Sequence, residues 1–391
     1  MYKVSVIMPL YNAKDYVCHC VDSILNQSLE DVEVVIIDDV STDGSYELVK
    51  EKYGALDRVQ IIRQEKNAGP GAARNKALEL VRGEYVTFAD SDDAVLQGAY
   101  KMMYDAAKEW DADVLHLTGA VYPIVDDIPA DLTSLTPEQL CFAATDFGTV
   151  ATAPYLLQNS FEDRMDHYVK HEYHWNVWNK LFRKSFLDQY HFRFADMRLA
   201  EDQVFCFSAL FHAARYVIVP GSYYIYRIAN ESLSRGVRKP AQLEKYLSSM
   251  LNCIDAMAEI TRDIPFFQEH PEQRQRGTEY ILDVLEMAFV AICYQEVGKE
   301  AVKKDGAVRR VFEEYFGDMA YFPEYLFYQS QDRREKAPDI FGAVNSIHFW
   351  RKYKAASGKG PVDLNDIAGE WLANQAAEKA AEEKTGGPSQ A

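Results

Sequence analysis

The chain has 391 residues, which is too many for one ordinary core and indicates a catalytic-sized α/β domain followed by a smaller unit. Its 42 Lys and Arg residues against 60 Asp and Glu residues give a formal net charge of −18, which argues against nucleic acid as a partner because like charges repel. Small phosphorylated ligands stay open, since a bound divalent cation reverses the charge locally.

Cysteine usage and the N-terminal segment indicate the compartment. The six cysteines include no Cys-x-x-Cys pair, which favours reduced thiols. Met1 leads directly into "KVSVIMPLYN", without the basic region and apolar run of a signal peptide. No segment approaches the roughly 20 apolar residues that a spanning helix needs. We therefore expect a cytoplasmic protein whose membrane contact is at most peripheral, at the inner face of the membrane.

Apolar runs alternate with helical patterns along the first part of the chain. The runs are, in order, "VSVIMPL", "VEVVIIDD", "VQIIRQ", "EYVTFAD" and "ADVLHL", and helical patterns such as "YVCHCVDSILNQ" lie between them. Strands that are apolar on both faces and separated by helices predict a mostly parallel sheet with helices on both faces. Ligands collect at the carboxyl ends of such strands.

The later part of the chain changes character twice. Residues 121–147 lose periodicity, which predicts an excursion from the sheet, and "YVIVPGSYYIYR" predicts a pair of strands. Residues 240–320 read as helices with one buried face. The predicted domains are a catalytic domain over 1–236, a helical domain over 237–372 and a disordered tail over 373–391. A homo-oligomer through the C-terminal helices is compatible with this pattern.

The stretch "YVTFADSDDAV" ends a predicted strand in Asp90, Asp92 and Asp93. Clustered carboxylates repel one another, so a positive group is expected beside them. Oxygen ligands at the mouth of a nucleotide-type crevice suit Mg²⁺ or Mn²⁺ shared with phosphate oxygens. The alternative is a solvated turn that caps the following helix.

Four motifs in this part of the chain resemble one family. "VSVIMPLYNAKDYV", "VVIIDDVSTDGS", "NAGPGAARNKAL" and "GEYVTFADSDD" are similar, in order, to motifs of the inverting family 2 nucleotide-sugar glycosyltransferases of the GT-A fold. "WNKLFRKSFL", "EDQVFCF" and "YRIANESLS" extend the resemblance to about Arg235. The C-terminal third carries no family signature. The resemblance implies a GT-A domain, Rossmann-like with helices on both faces of the sheet, followed by a smaller helical domain.

The resemblance implies a role for each donor-side residue. The residues that would contact the donor or its metal are Pro9, Tyr11 and Asn12 in the base pocket, Asp39 on the uracil ring, Arg74 on the nucleotide, Asp90 on the ribose, Asp92 on Mn²⁺ or Mg²⁺, and Asp93 near the donor sugar. The alternative for Asp39 is a turn former beside Asp43 and Gly44. Arg74 falls near the start of a predicted helix, where a cation is unfavourable unless an anion is nearby. The alternative is a surface arginine paired with an acid.

The resemblance also implies the catalytic groups. Asp202 matches the family's base, which takes the proton of the acceptor hydroxyl. The alternative is that Glu201 and Asp202 only complement the dipole of the helix that they open. Arg227 and Ser232 resemble the clamp on the leaving diphosphate. In-line attack with one displacement implies a β-linked product from an α-linked donor, without a covalent enzyme intermediate.

These expectations combine into one predicted activity. The chain would transfer a sugar from a UDP-sugar to a hydroxyl of a glycan or other acceptor, in a metal-dependent reaction of cell-surface polysaccharide synthesis. One alternative is a sugar-phosphate nucleotidyltransferase, a class that generally has a Gly-rich basic loop where this chain has "PLYNAKD". Another is a non-catalytic module that binds a glycan or partner on the same fold. The combination of Asp92 and Asp202 argues against a module, because binding alone would not need both.

Overall fold

The computed structural model describes residues 2–144, 155–156, 160–170, 173, 175–197, 200–228, 249, 252–253, 256–257, 259–273 and 276–277. The chain divides into two compact units, one of residues 1–236 with 255–277 and the other of residues 237–254 with 278–391. The description below concerns the first unit. The predicted helices after residue 277, the predicted tail and Ser232 lie outside the described residues.

The first part of the sheet follows the predicted alternation. Its elements are β1 (Val4–Leu10), α1 (Val17–Leu25), β2 (Val32–Asp38), α2 (Ser45–Tyr53), β3 (Val59–Arg63), α3 (Pro70–Leu78) and β4 (Tyr85–Phe88). β3, β2, β1 and β4 lie side by side in that order, and each neighbouring pair is parallel. The β-branched residues of β1 and β2 are buried on both faces of the sheet, as the unbroken apolar runs predict.

The second part adds shorter strands and more helices. Its elements are β5 (Ala94–Val95), α4 (Ala99–Glu109), β6 (Val114–Pro123), β7 (Leu140–Ala144), β8 (Tyr155–Leu156), α5 (Phe161–Val169), β9 (Lys180–Arg183), α6 (Lys184–Gln189), α7 (Glu201–His212), β10 (Tyr216–Ile225) and α8 (Pro265–Glu269). In the described part of the chain, no helix combines the length and the apolar character that crossing a membrane requires.

The complete sheet is mixed, so the prediction of a mostly parallel sheet is wrong in its second half. The strand order is β3-β2-β1-β4-β9-β6-β10-β5, with β7 on β6 and β8 on β10. β6 and β10 are parallel, whereas β9 lies antiparallel to both β4 and β6, and β5, β7 and β8 are also antiparallel to their neighbours. Antiparallel neighbours need no crossover helix, so the strand–helix alternation of the first half does not predict them.

Two local predictions are also corrected. "YVIVPGSYYIYR" forms the single strand β10 and not a strand pair. Its pairing with β6 shifts register between Val219 and Ser222, so Pro220 and Gly221 lie in an irregularity and not in a turn. The excursion is shorter than predicted, because β6 continues to Pro123 and β7 returns on it from Leu140.

A cluster of aromatic side chains lies where β4 meets α7. Phe194 stacks on Phe205 with ring centroids 4.3 Å apart and ring planes 11° apart. Phe88, at the end of β4, packs edge-to-face on both, at 5.3 Å from Phe194 and 5.8 Å from Phe205. All three are almost completely buried. This packing holds the start of α7 next to the segment that follows β4.

Candidate active site

The loops that follow β1 and β2 are joined by hydrogen bonds. Asn12 has a left-handed backbone with φ of 50°, which asparagine tolerates better than most residues. Its backbone N–H donates to Ser41 Oγ over 3.0 Å, and its side-chain Oδ1 accepts from the Thr42 N–H over 2.8 Å. Tyr11 is exposed and Pro9 is half-buried at the end of β1. The base-pocket roles of Pro9, Tyr11 and Asn12 stay predictions.

Asp39 holds the loop that leads into α3. Its Oδ1 accepts from the Ala68 N–H over 2.8 Å and from Gln64 Nε2 over 2.7 Å, while its Oδ2 accepts from the Gly69 N–H over 2.8 Å. Gly69 has φ of 87°, a conformation that favours glycine. A carboxylate has about four lone-pair sites, so these three bonds leave acceptor capacity for a uracil N–H. The contact with uracil stays a prediction.

Tyr224 ties the acidic segment after β4 to β10. The Asp90 N–H donates to Tyr224 Oη over 2.9 Å, and that hydroxyl donates to Asp93 Oδ2 over 2.7 Å. The second oxygen of Asp93 accepts from the Arg227 N–H over 2.7 Å. Trp178 stacks on the Tyr224 ring with centroids 4.3 Å apart. Asp93 is therefore buried and bonded at both oxygens, and its predicted contact with the donor sugar stays a prediction.

Asp92 is the free carboxylate of this segment. Burial, and then the charge of Asp90, raise the pKa of Asp92 to about 6. Within the described residues, no hydrogen bond from another residue reaches its carboxylate. Burial followed by the charges of Asp92 and Asp90 also raises the pKa of Asp93. An added cation would lower both pKa values, so the donor set fits Mg²⁺ or Mn²⁺.

The described residues supply few ligands for such an ion by themselves. Among the described residues there is no group of three or more His, Cys, Asp or Glu side chains arranged to hold a metal. A cation at Asp92 would then need further oxygen ligands from water or from a bound phosphate, which is the usual way in which Mg²⁺ binds.

Arg227 anchors the chain at the end of β10. Its Nε donates to the Asp92 carbonyl over 2.8 Å and its Nη2 donates to the Ala130 carbonyl over 2.8 Å. The guanidinium carbon lies 4.4 Å from the centroid of the Tyr16 ring. Arg227 is therefore the one member of the predicted diphosphate clamp that lies among the described residues, and Ser232 does not. The clamp stays a prediction.

Arg74 lies between two carboxyl groups. Its Nη2 donates to Asp90 Oδ1 over 3.0 Å and its Nη1 donates to Glu201 Oε1 over 2.8 Å. The Arg74 side chain is only 5% exposed, so it is not a surface arginine. Its Nε is buried without a hydrogen-bond partner in the described part of the chain. The predicted nucleotide contact of Arg74 stays a prediction, and the contacts that the structure gives it join α3 to the acidic segment and to α7.

Glu201 and Asp202 open α7 next to Arg74. Burial and the neighbouring Asp202 raise the pKa of Glu201 to about 8, against the opposing effect of Arg74. Burial also raises the pKa of Asp202; Arg74 and Lys180 oppose this rise, and Asp90 adds to it. A carboxylate with a raised pKa is a stronger base, so Asp202 has the property that its predicted role requires.

Three residues near this site carry weak or no sequence signals. Lys180 is fully buried, and its Nζ donates to the Asn176 carbonyl over 2.7 Å and to Asn179 Oδ1 over 2.9 Å. Burial lowers its pKa to about 8. Sequence reasoning gives Lys180 little weight and misses both Tyr224 and Asn75. The only signal for Asn75 is its place directly after Arg74 in "GPGAARNKAL".

A family model and several curated relatives match part of the chain. Residues 5–145 match the model described as glycosyl transferase family 2. The uncharacterized glycosyltransferase EpsJ of Bacillus subtilis is 30% identical over 243 residues, which cover 62% of this chain and 65% of EpsJ. The succinoglycan biosynthesis protein ExoO of Rhizobium meliloti is 29% identical over 241 residues, which cover 60% of this chain and 63% of ExoO. The chain thus spans less than two thirds of the length of both relatives.

Solved structures of S. aureus TarS share the fold. The structure of TarS residues 1–349 has a TM-score of 0.56 and 23% identity, covering 90% of this chain and 91% of that one. The structure of the same fragment in complex with UDP-GlcNAc has a TM-score of 0.51 and 23% identity, covering 80% of this chain and 91% of that one. At this level of identity, the similarity establishes a common mixed α/β architecture.

Proposed function

Because the chain carries a glycosyl transferase family 2 domain over residues 5–145, we propose that it is a metal-dependent, inverting glycosyltransferase. The donor is a UDP-sugar, and the acceptor is a hydroxyl of a glycan or a related molecule. The name of ExoO, a succinoglycan biosynthesis protein, supports a role in the synthesis of a surface polysaccharide. TarS, which was crystallised with UDP-GlcNAc, supports a UDP-linked hexose or N-acetylhexosamine as the donor.

One observation carries the proposal, namely the chain of contacts from the half-buried Asp90 through the buried Arg74 to the buried Glu201. Asp90 belongs to the acidic segment where the donor would bind, and Glu201 directly precedes the candidate base Asp202. A single guanidinium therefore links the two halves of a transfer site. A module that only binds a glycan has no need for a buried acid pair of raised pKa beside such an acidic segment.

The donor side of the site is assigned as follows. Asp39 accepts from the uracil N–H, Asp90 bonds to the ribose hydroxyls and Asp93 lies towards the sugar. The ring face of the exposed Tyr11, together with Pro9 and Asn12, lines the base pocket. Arg74 contacts the nucleotide from the same side. Apart from Arg74, which lies in α3, each assignment combines the motif position with a place at the carboxyl ends of β1, β2 or β4.

The diphosphate needs positive charge, because UDP leaves as an anion. Asp92 is the residue that would hold Mn²⁺ or Mg²⁺, and when bound this ion would stabilise the charge that develops on the diphosphate. Arg227 and Ser232 are assigned to the same diphosphate. The Arg227 guanidinium already bonds to the backbone at Asp92, which supports a place for it next to that charge.

Asp202 acts as the base of the transfer. Its carboxylate accepts the proton of the acceptor hydroxyl as the hydroxyl oxygen attacks the anomeric carbon. The bond from that carbon to the β-phosphate oxygen breaks, and the electron pair leaves with UDP. One displacement inverts the anomeric centre, so an α-linked donor gives a β-linked product.

A donor screen tests the proposal. The wild type, Asp92→Ala and Asp202→Asn are incubated with UDP-sugars and Mn²⁺, and release of UDP is measured. We expect one donor to be turned over by the wild type and by the surface control Asp188→Asn, with a large loss in both site variants. Equal release of UDP by all four proteins would overturn the proposal. Binding of UDP without turnover by the wild type would favour a binding module.

A further inference from the structure

Asn75 forms a two-bond clamp on the backbone of Phe194, 119 residues away in the sequence. Its Nδ2 donates to the Phe194 carbonyl over 2.8 Å, and its Oδ1 accepts from the Phe194 N–H over 2.8 Å. A side-chain amide carries one acceptor and one donor group, so it can pair with both backbone groups of a residue as a neighbouring strand would. The clamp fixes both the position and the direction of the chain at Phe194.

Phe194 transmits this restraint to α7. Its ring stacks on Phe205 with centroids 4.3 Å apart, and both rings are almost completely buried. Phe205 lies three residues after Asp202 on α7, which is close to one helical turn. A close-packed core does not allow one of two stacked rings to move alone. A shift of Phe194 would therefore displace the first turn of α7.

The same face of α3 also contacts the start of α7. Gly71, Arg74 and Asn75 are spaced i, i+3 and i+4, which places them on one side of the helix. A Cβ at Gly71 would lie 3.2 Å from Glu201 Cγ and 3.5 Å from Phe194 Cβ. The Arg74 guanidinium carbon lies 5.3 Å from the Phe194 ring centroid. The glycine thus permits a close approach that brings Phe194 and Glu201 against α3.

The first turn of α7 needs such restraints. Ala200, directly before Glu201, has φ of 68°, in the left-handed region that is unfavourable for a residue with a Cβ. A backbone of this kind persists only where the surroundings hold it. The clamp at Phe194 and the Arg74–Glu201 bond hold the chain on either side of Ala200.

The geometry points to Asn75 as a positioning residue for Asp202, which acts through Phe194 and the first turn of α7. This inference rests on the proposed function, since it assigns a task to the base of that reaction. This role needs no contact between Asn75 and the substrate or the reacting atoms. Asn75 sets the position of the Asp202 carboxylate relative to the acceptor hydroxyl. A misplacement of about 1 Å at a reacting group costs on the order of 100-fold in rate.

The first test replaces Asn75 by alanine. We expect Asn75→Ala to lower kcat by roughly 10- to 100-fold, with the KM for the UDP-sugar and the Kd for UDP nearly unchanged. The matched control is Tyr85→Phe. Tyr85 is the first residue of β4, and its hydroxyl donates to the carbonyls of Ala107 and Ala112. The Tm and kcat of both variants are compared. If Tyr85→Phe lowers the Tm as much as Asn75→Ala does and also lowers kcat as far, the loss of activity is due to general destabilisation and the inference is wrong.

A double variant decides whether the effect passes through Asp202. In Asp202→Asn, residual turnover no longer depends on a placed base, so adding Asn75→Ala should cause no further loss of kcat. An equal fold-loss in the presence and absence of Asp202→Asn would overturn the inference. The inference would also be overturned if Asn75→Ala lowers kcat while Asp202→Asn keeps the kcat of the wild type.

Hydrogen exchange separates failure of this inference from failure of the proposed function. In Asn75→Ala without any substrate, we expect faster amide exchange in α7 from Val204 to Phe207 and unchanged exchange in β1. Unchanged exchange in α7 would contradict the positioning role even if the enzyme is active. If the wild type turns over no donor but amide exchange in α7 is faster in Asn75→Ala, the proposed activity is rejected and the restraint of α7 by Asn75 is supported.

Discussion

Arg74 Nη1 donates to Glu201 Oε1 over 2.8 Å although 127 residues separate the two in sequence, and both side chains are at least 94% buried. The contact joins α3 to the first turn of α7. Because Arg74 also bonds to Asp90, one guanidinium faces two carboxyl groups. A buried guanidinium needs this compensation, since an unpaired charge inside a protein is strongly unfavourable.

Replacing Arg74 by leucine should destabilise the fold. Arg74→Leu leaves the Glu201 carboxyl group buried without its donor, so at pH 8.5 this group must either keep an unpaired charge or take up a proton, and we expect a loss of about 3 kcal/mol in the free energy of unfolding. Urea unfolding measures it. The double variant Arg74→Leu/Glu201→Leu should recover part of the loss, because it removes both buried charges. A loss below about 1 kcal/mol in the single variant would contradict the buried contact.

The sequence predicted the half of the fold in which each strand is followed by its own helix. Apolar runs such as "VEVVIIDD" are long and bounded, and the four motifs that carry the family resemblance lie, apart from Val4, within residues 5–145, which match the model described as glycosyl transferase family 2. β9 was not predicted, since "KLFR" is four residues of mixed polarity and becomes a strand only between β4 and β6. β10 was divided wrongly, because Pro220 and Gly221 have the composition of a turn.

The site was predicted in its residue types and less in its contacts. A carboxylate after a buried strand is visible in the sequence, so Asp39, Asp90 and Asp92 could be named. Contacts across more than 100 residues are not visible, and for that reason the clamp of Asn75 on Phe194 was missed. The alternative for Arg74 was a surface arginine paired with an acid, whereas the structure gives a buried Arg74 that bonds to the buried Glu201 and the half-buried Asp90.

Lys180 should set the pH dependence of the reaction. Its positive charge opposes the rise in the pKa of Asp202 that burial causes. Asp202 works in its deprotonated form, so kcat should rise with pH as Asp202 loses its proton. Lys180→Met removes the positive charge, raises the pKa of Asp202 further and should move the acid limb of the kcat profile to higher pH.

The matched control for this shift is Lys184→Met. Lys184 lies four residues after Lys180 in the sequence, at the start of α6, where it pairs with Asp188 and is partly exposed. Its profile should coincide with that of the wild type. If the acid limb of Lys180→Met moves to lower pH or stays in place, Lys180 does not act on Asp202.

Glu201 should make the stability depend on pH. Its pKa is raised from 4.5 to about 8 on folding, so between these values the folded protein holds a proton that the unfolded chain has lost. The contribution is fully present below pH 4.5 and is lost as the pH rises through about 8. We expect the wild type to lose on the order of a few kcal/mol relative to Glu201→Gln over this range. Urea unfolding at several pH values tests this, and parallel curves would contradict it.

Tyr224 should support the metal-dependent part of donor binding. Tyr224→Phe keeps the ring that stacks on Trp178 but removes the hydroxyl that joins the Asp90 N–H to Asp93. Loss of a buried hydrogen-bond partner costs about 1–3 kcal/mol, so we expect UDP affinity with Mn²⁺ to fall about fivefold or more. Binding of UDP without Mn²⁺, which rests on Asp39 and the base pocket, should change little. Calorimetry with and without Mn²⁺ measures both.

Tyr100→Phe is the control for the Tyr224 variant, because it removes an equally buried hydroxyl that has no hydrogen-bond partner among the described residues. Both variants lose one oxygen atom from the protein interior, but only Tyr224→Phe releases the backbone of Asp90 and a carboxylate oxygen of Asp93. A similar change of Mn²⁺-dependent affinity in the two variants would mean that the hydroxyl of Tyr224 does not organise the acidic segment. A loss confined to Tyr224→Phe would locate the effect in its two hydrogen bonds.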